Sequence, residues 1–415
     1  MGSIEEKFAK LATDHAPGQE VRQHDGGLKK APMHGDNLSG APVDFSHGDV
    51  NDTAFAPTPG SLNAFIQGVE RGGEQAYTEY RGAAELRDRL AAHLAAFTGA
   101  ALSGADELII APGTQGALFL AVAATVTAGA KVAIVRPDYF ANRKLVEFLG
   151  GEIVPVRLAY LDNTARAGLD LEQLEAAFKA GAKTFLFSNP NNPAGVIYSP
   201  DEIEQIASLS NQYGATVIVD QLYSRLVYAG STYTHLRAKT INPDNVVTIM
   251  GPSKTESLSG YRLGVAFGPK YIVDRMEKLQ AIVSLRAPGY CQAVLRTWFE
   301  EPDGWLRDRV AQHQAIRDDL LEVFCSVDGV VVRSPEAGSY VFPHLPEISI
   351  SLHDFVRVLR HQAGVTVTPG VEFDPHATSS IRLNFSQNHA AAVHAVERAA
   401  QLIDRYRTWW SKSHV

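Results

Sequence analysis

Seven short apolar runs between residues 107 and 268 constrain this chain most: "ELIIAPG", "KVAIVRP", "EIVPV", "KTFLFSNP", "ATVIVDQ", "VVTIM" and "RLGVAFG". They are rich in β-branched residues and most close on Gly, Pro, Asn or Asp, so each reads as a strand. Between several of them lie stretches with apolar residues at helical spacing, such as "TQGALFLAVAATV", "NRKLVEFLG" and "PDEIEQIASLSNQYG". Strands that alternate with helices imply an α/β fold whose parallel or mixed sheet is covered on both faces.

Around this block the pattern changes. "GAAELRDRLAAHLAAFTG" reads as an amphipathic helix with a Gly near its end. Residues 1 to about 60 are rich in Gly, Pro, His and Asp and read as an irregular arm with one short helix near "IEEKFAKLA". Past residue 270 helices dominate: "RMEKLQAIVSLR", "QAVLRTWF" and "WLRDRVAQHQAIRDDLLEVF". Short strands follow near "GVVVRSP", "GSYVFPHL" and "SIRLNFS", and the helix "AAAVHAVERAAQLIDRYRTWW" closes a second, α+β lobe. The expected division is an N-terminal arm over 1–60 that contributes to the small domain, a large domain over 61–290 and a C-terminal small domain over 291–415.

Composition narrows the function. A chain of 415 residues with 45% hydrophobic and 20% charged residues has the balance of a soluble globular protein of two to three lobes. A formal charge of -8 and the absence of any Lys/Arg run argue against a nucleic-acid partner. Cys291 and Cys325 are too few for a disulfide framework or a cysteine zinc site and are expected as buried small hydrophobes in a reducing cytoplasm. The first residues lack the apolar core of a signal peptide, and nowhere do 18 apolar residues run unbroken, so a cytoplasmic protein without a membrane span is expected.

In open α/β sheets ligands bind beyond the carboxyl ends of the strands, so the residues that follow each run carry the chemistry. After "LII", Gly113 and Thr114 open an apolar helix; that start is either an anion site made of backbone N–H groups or an ordinary helix cap. Tyr139 in "RPDYF" is either a ring that stacks on a planar ligand or a core tyrosine. Asn192 in "SNPNNPAG" offers an amide donor, beside prolines that turn chemistry alone explains. Asp220 ends a buried run with Tyr223 three residues on, and a carboxylate there needs a positive partner. In "TIMGPSKTESLSGYRLGVAFG", Lys254 is a strand-end amine and Arg262 follows eight residues later. Cationic neighbours favour the neutral amine, which attacks a carbonyl to give a Schiff base, and a guanidinium suits a phosphate. A phosphate, an aromatic aldehyde and a ring nitrogen facing a carboxylate together describe pyridoxal 5'-phosphate.

The string "SNPNNPAG…VIVDQLYSR…GPSKTESLSGYRLG…SIRLNFS" resembles the class I/II aminotransferases of fold-type I, over nearly the whole chain. The resemblance implies a large domain with a mixed, mostly parallel seven-stranded sheet, a smaller α+β domain, and pyridoxal 5'-phosphate as cofactor. It implies Lys254 as the Schiff-base lysine, Asp220 as partner of the ring nitrogen, Asn192 and Tyr223 at the 3-oxygen, and Tyr139 as the stacking ring. Gly113, Thr114, Gln115, Ser253 and Arg262 resemble the phosphate site, and Tyr77, five residues before Gly82, resembles the tyrosine that reaches the neighbouring subunit's phosphate in a homodimer. Arg382 resembles the arginine that binds the substrate's α-carboxylate. Gly48 resembles the glycine beside the substrate, although His47 and Asp49 around it depart from the family's usual wording, as does Gly251 where many relatives have serine.

The resemblance implies transfer of an amino group from an amino acid to a 2-oxo acid. Arg286, 32 residues beyond Lys254, lies near the place of the arginine that reaches the side-chain carboxylate in aspartate aminotransferases, which favours an aspartate- or glutamate-like substrate; the other reading is an interface arginine. The same cofactor also supports elimination or replacement on a substrate like S-adenosylmethionine, with Asp49 facing its cation. A ligand-sensing regulator would carry a basic DNA-binding module before this part, and the first 60 residues are neither basic nor helical enough for one.

Overall fold

A computed structural model describes residues 4–9, 33–47, 54–162 and 165–408. Its strands, in chain order, are β1 (Val43–Asp44), β2 (Leu108–Pro112), β3 (Lys131–Arg136), β4 (Glu152–Arg157), β5 (Thr184–Ser188), β6 (Thr216–Asp220), β7 (Val246–Met250), β8 (Leu263–Phe267), β9 (Tyr340–Val341), β10 (Val365–Thr366), β11 (Thr368–Pro369) and β12 (Ile381–Asn384). Seven of them form one sheet in the order β2-β8-β7-β6-β5-β3-β4. β8 runs antiparallel to both of its neighbours and the remaining pairs are parallel, as the seven apolar runs require.

The strands are apolar on both faces because both are buried. Side chains alternate across a strand, so Val217 and Val219 join Ala133, Val135, Phe185 and Phe187 in one core. Ile218 joins Val132, Ile134, Leu186, Val247 and Ile249 in the other. The second core is closed by the helix Gly113–Thr125 through Ala117, Leu118, Ala121 and Val122. Ser188 and Asp220 are register partners at the ends of β5 and β6, which fixes their side chains on the same face of the sheet.

A third core lies on the β2–β8 edge, where Leu86, Leu90 and Leu94 of the helix Ala84–Thr98 meet Val294, Leu295 and Trp298. The chain therefore stays on the large sheet as far as Trp298 before the helix Trp305–Ser326 begins. A fourth core gathers Val43, Phe45 and Phe55 with Phe324, Phe355, Phe385 and Leu402, so the N-terminal segment packs with C-terminal elements. β1 pairs in parallel with β10, and β9 and β11 flank β12.

Several expectations need correction. Among the described residues "GVVVRSP" forms an isolated bridge from Val331 to His344 and no longer strand, and "QAVLRTWF" is a short 3-10 turn, Ala293–Thr297. The helices Ser61–Glu70, Leu171–Lys179 and Leu352–Ala363 have no counterpart in the sequence reading. Cys325 is exposed and Cys291 only half-buried. On the helix Trp305–Ser326 the inward face is set by Ile316, Leu320 and Phe324 at a spacing of four, which turns the residue after Phe324 outward. Among the described residues no helix is long and apolar enough to cross a membrane.

Candidate active site

The carboxyl ends of β5, β6 and β7 open into a cleft of about 240 Å³. Thr114, Gln115, Tyr139, Asn192, Asp220, Tyr223, Ser253, Lys254, Arg262 and Arg382 all line it, although they span 269 positions of the sequence. Gly113 stands directly behind it, since a Cβ there would come within 2.6 Å of Arg262 Nη2.

The floor is made by β6 and by the turn after β7. Asp220 Oδ1 accepts from Leu222 N at 3.0 Å. Burial pushes the Asp220 carboxyl up to about 6, against the pull of that N–H. Lys254 sits four residues beyond Met250 in a turn closed by Leu258 N to Pro252 O (3.1 Å) and Ser257 N to Lys254 O (3.2 Å). Ser257 and Arg262 are held at φ 57° and 55°, a left-handed conformation that costs a non-glycine residue about 1 kcal/mol or more. That geometry lets the chain reverse tightly enough for β8 to return beside β7.

Close backbone packing shapes the cleft's anion-facing side. Gly113 opens the helix Gly113–Thr125 at φ 79°, and no side chain caps that helix start. The first N–H groups are left for a ligand or for water. A Cβ on Gly251 would lie 2.7 Å from Thr114 Cγ2 and 3.2 Å from Gly264 Cα, so here Thr114 fills the space a serine would need. Ser253 Oγ donates to Leu263 O at 3.4 Å, and Arg262 Nη1 donates to Ser259 O at 3.0 Å.

One wall carries the aromatic and amide groups. Tyr139 Oη donates to Gln115 Oε1 at 3.0 Å. Its main chain is tied down by Asp138, which accepts from Tyr139 N at 2.6 Å, from Ser188 N at 2.9 Å and from Ser188 Oγ. Ser188 Oγ accepts from Asn192 N at 3.1 Å, so one buried carboxyl positions both Tyr139 and Asn192. The Tyr223 and Tyr340 hydroxyls lie 2.5 Å apart, and burial holds the Tyr223 phenol above its ordinary range, followed by the charge of Tyr340.

Arg382 is 6% exposed and meets no carboxylate among the described residues. Nη1 donates to Asn192 Oδ1 at 3.0 Å and Nη2 to Ser46 O at 3.0 Å. The guanidinium carbon lies 4.3 Å from the Tyr340 ring and 4.6 Å from the Phe373 ring, and Nε has no partner. A buried cation without a counter-charge calls for an anionic ligand. The bond to Asn192 Oδ1 leaves Nδ2 as the donor that Asn192 offers to the cleft.

Two expected residues lie elsewhere. Tyr77 is 78% exposed, and Arg286 lies over its ring at 4.6 Å and over Tyr80 at 5.5 Å, away from the cleft of their own chain. Gly48 and Asp49 lie outside the described residues. Sequence reading missed Tyr340, Ser188 and Asp138, since Tyr340 stands in a two-residue strand and nothing in "GSYVFPHL" distinguishes it from a core tyrosine.

The same chain has marked relatives. It is 27% identical to the aspartate aminotransferase of Sulfurisphaera tokodaii over 337 residues, which covers 80% of this chain and 83% of that one. The crystal structure of an aspartate aminotransferase from Rhodobacter sphaeroides superposes with a TM-score of 0.93 at 63% identity, covering 98% of this chain and 100% of that one. Aspartate aminotransferase from Thermus thermophilus with maleate shares the fold at 23% identity, with a TM-score of 0.83 over 97% of this chain and 100% of that one. The model of the family described as aminotransferase class I and II matches residues 42–398, and the chain belongs to that family.

Proposed function

We propose that the protein moves the amino group of an acidic amino acid, of the aspartate or glutamate class, to a 2-oxo acid, with pyridoxal 5'-phosphate held at Lys254. The observation that carries this reading is the convergence in one cleft of the Lys254 amine, the half-buried Asp220 carboxyl and an Arg382 guanidinium that meets no carboxylate among the described residues. The names of the 63% identical structure and of the curated relatives support amino transfer over elimination on a sulfonium substrate.

The residues fit the cofactor. Asp220 is raised by burial with no cation against it among the described residues, and a protonated ring nitrogen is the group that would relieve it. The uncapped helix start at Gly113, with Thr114 and Arg262, suits a phosphate. Gln115 steadies Tyr139, whose ring would cover one face of the cofactor, and Asn192 Nδ2 with the Tyr223 hydroxyl would hold its phenolic oxygen. When bound, pyridoxal phosphate supplies an electron sink for the charge left at the substrate's Cα. Lys254 Nζ is then the general acid–base that takes and returns the Cα proton. Asp220 would hold the proton on the ring nitrogen, and Arg382 would orient the substrate by its α-carboxylate.

Exposed apolar side chains support a homodimer. Leu62, Ile66 and Val69 of the helix Ser61–Glu70, and Ile282, Val283 and Leu285 at and just beyond the end of the helix Lys270–Val283, are exposed, in the stretches of chain that lead to Tyr77 and Arg286. Such a concentration of apolar surface marks an interface, across which both residues would reach a second cleft. The test is a panel of amino acids given to the purified holoprotein. Release of oxaloacetate or 2-oxoglutarate, with the amino group recovered on an added 2-oxo acid, supports the reading, whereas release of ammonia or of no 2-oxo acid rejects it.

A further inference from the structure

We propose that His47 is a specificity-determining residue, whose imidazole binds the distal carboxylate of the acidic substrate while Arg382 holds the α-carboxylate. The proposal rests on the amino-transfer reading above. It begins from the basic side chains that line the cleft, which are Lys254, Arg262, Arg382 and His47. That reading gives the first three a task and leaves the fourth without one.

The backbone of His47 is held in place. Its carbonyl accepts from Gln387 Nε2 at 2.8 Å, and the same amide nitrogen donates to Asp44 O at 2.9 Å. The preceding carbonyl, of Ser46, is the one that receives Arg382 Nη2 at 3.0 Å. The backbone that carries the imidazole is thus clamped to the guanidinium. The ring is oriented from one side: Nε2 lies 3.6 Å from Asp44 Oδ2, and Asp44 Oδ1 accepts from Ser46 N at 2.8 Å and Ser46 Oγ at 2.5 Å. Nε2 lies on the Asp44 side, which leaves Nδ1 as the nitrogen that would meet a ligand carboxylate. The charged group beside the ring is Asp44 from its own segment, and Arg382 of β12, bonded to the neighbouring Ser46 carbonyl, lines the same cleft as the cation the α-carboxylate neutralises. Arg286 is the competing cation, but it lies over Tyr77 and Tyr80 and reaches a cleft only from a second copy.

The experiment compares donors in the holoenzyme. In His47→Asn the ratio of kcat/KM for aspartate to that for alanine falls about tenfold, as expected for loss of one charge-assisted hydrogen bond. His47→Lys recovers at least part of the ratio. An equal fall for both donors means a structural role and overturns the proposal. An unchanged ratio in His47→Asn, with a lost one in Arg286→Ala, overturns it in favour of Arg286. If neither His47 variant folds, the wild type decides: succinate, but not acetate, slows carbethoxylation of His47 by diethylpyrocarbonate, read by peptide mass spectrometry, and equal rates overturn the proposal. Failure of the wild type to release a 2-oxo acid from any donor would instead reject the amino-transfer reading, and succinate protection would still report on His47 separately.

Discussion

The floor and the rim of the cleft are built on different physical terms. Asp220 and Ser188 end strands that are hydrogen-bonded on both sides, and Lys254 and Arg262 sit in the short turn that joins β7 to β8. His47, Tyr77 and Arg286 stand on loops and helix ends, with His47 and Tyr77 well exposed and Arg286 held by little more than the Tyr77 and Tyr80 rings it lies over. Floor groups inherit their positions from a packed interior that moves little when a neighbour changes. Rim groups rely on a few local contacts, so the rim is where substrate choice can vary while the chemistry below stays the same.

The largest test of this contrast is Lys254→Ala, for which we expect amino transfer to fall to background and the visible absorbance of the bound cofactor to disappear. A variant that kept both would remove the floor from the chemistry. Next is Arg382→Ala, which truncates a buried, hydrogen-bonded cation; about 3 kcal/mol, near a hundredfold in kcat/KM, is expected with the cofactor still bound. Equal loss of cofactor and substrate would show that Arg382 belongs to the floor rather than to substrate binding.

Gly251→Ala probes how rigid the floor is. The added methyl would approach Thr114 Cγ2 to 2.7 Å, and overpacking of this kind costs ~1–3 kcal/mol, read as a lowered denaturation midpoint. An unchanged midpoint would mean that the helix start yields easily. The smallest effect is in pH dependence. Burial raises the Asp220 carboxyl from 3.8 to about 6 in the folded protein. Its contribution to stability is therefore complete below the unfolded value and is lost as pH rises through about 6. Cofactor-free wild type should lose Tm from pH 4 to pH 7 more steeply than Asp220→Asn. Identical slopes would assign the loss to other raised carboxyls, such as Glu256, which burial pushes up to about 7.

Legibility followed the same division. β5, β6 and β7 were readable because a fully buried strand must be apolar throughout, and the polar residue that ends it then stands out as an exception. Asp220, Asn192 and Lys254 were found in this way. The helix Leu352–Ala363 was not, although Leu352, Phe355, Val356, Leu359 and Ala363 recur at helical spacing, because the segment follows short strand-like runs. Tyr340 and Asp138 gave no local signal, since their importance comes from partners far along the chain, at Arg382 and Ser188.

By itself the sequence determined the alternation of strands and helices, the class of sheet and the polar groups at its carboxyl edge, all of which follow from local periodicity and the cost of burying charge. Only the tertiary structure decided that Arg382 lies buried with no carboxylate against it among the described residues, that Thr114 excludes a serine at 251, and that the His47 backbone is clamped beside Arg382 at the same cleft. These depend on which distant segments meet, and that is a property of packing, which no stretch of local sequence encodes.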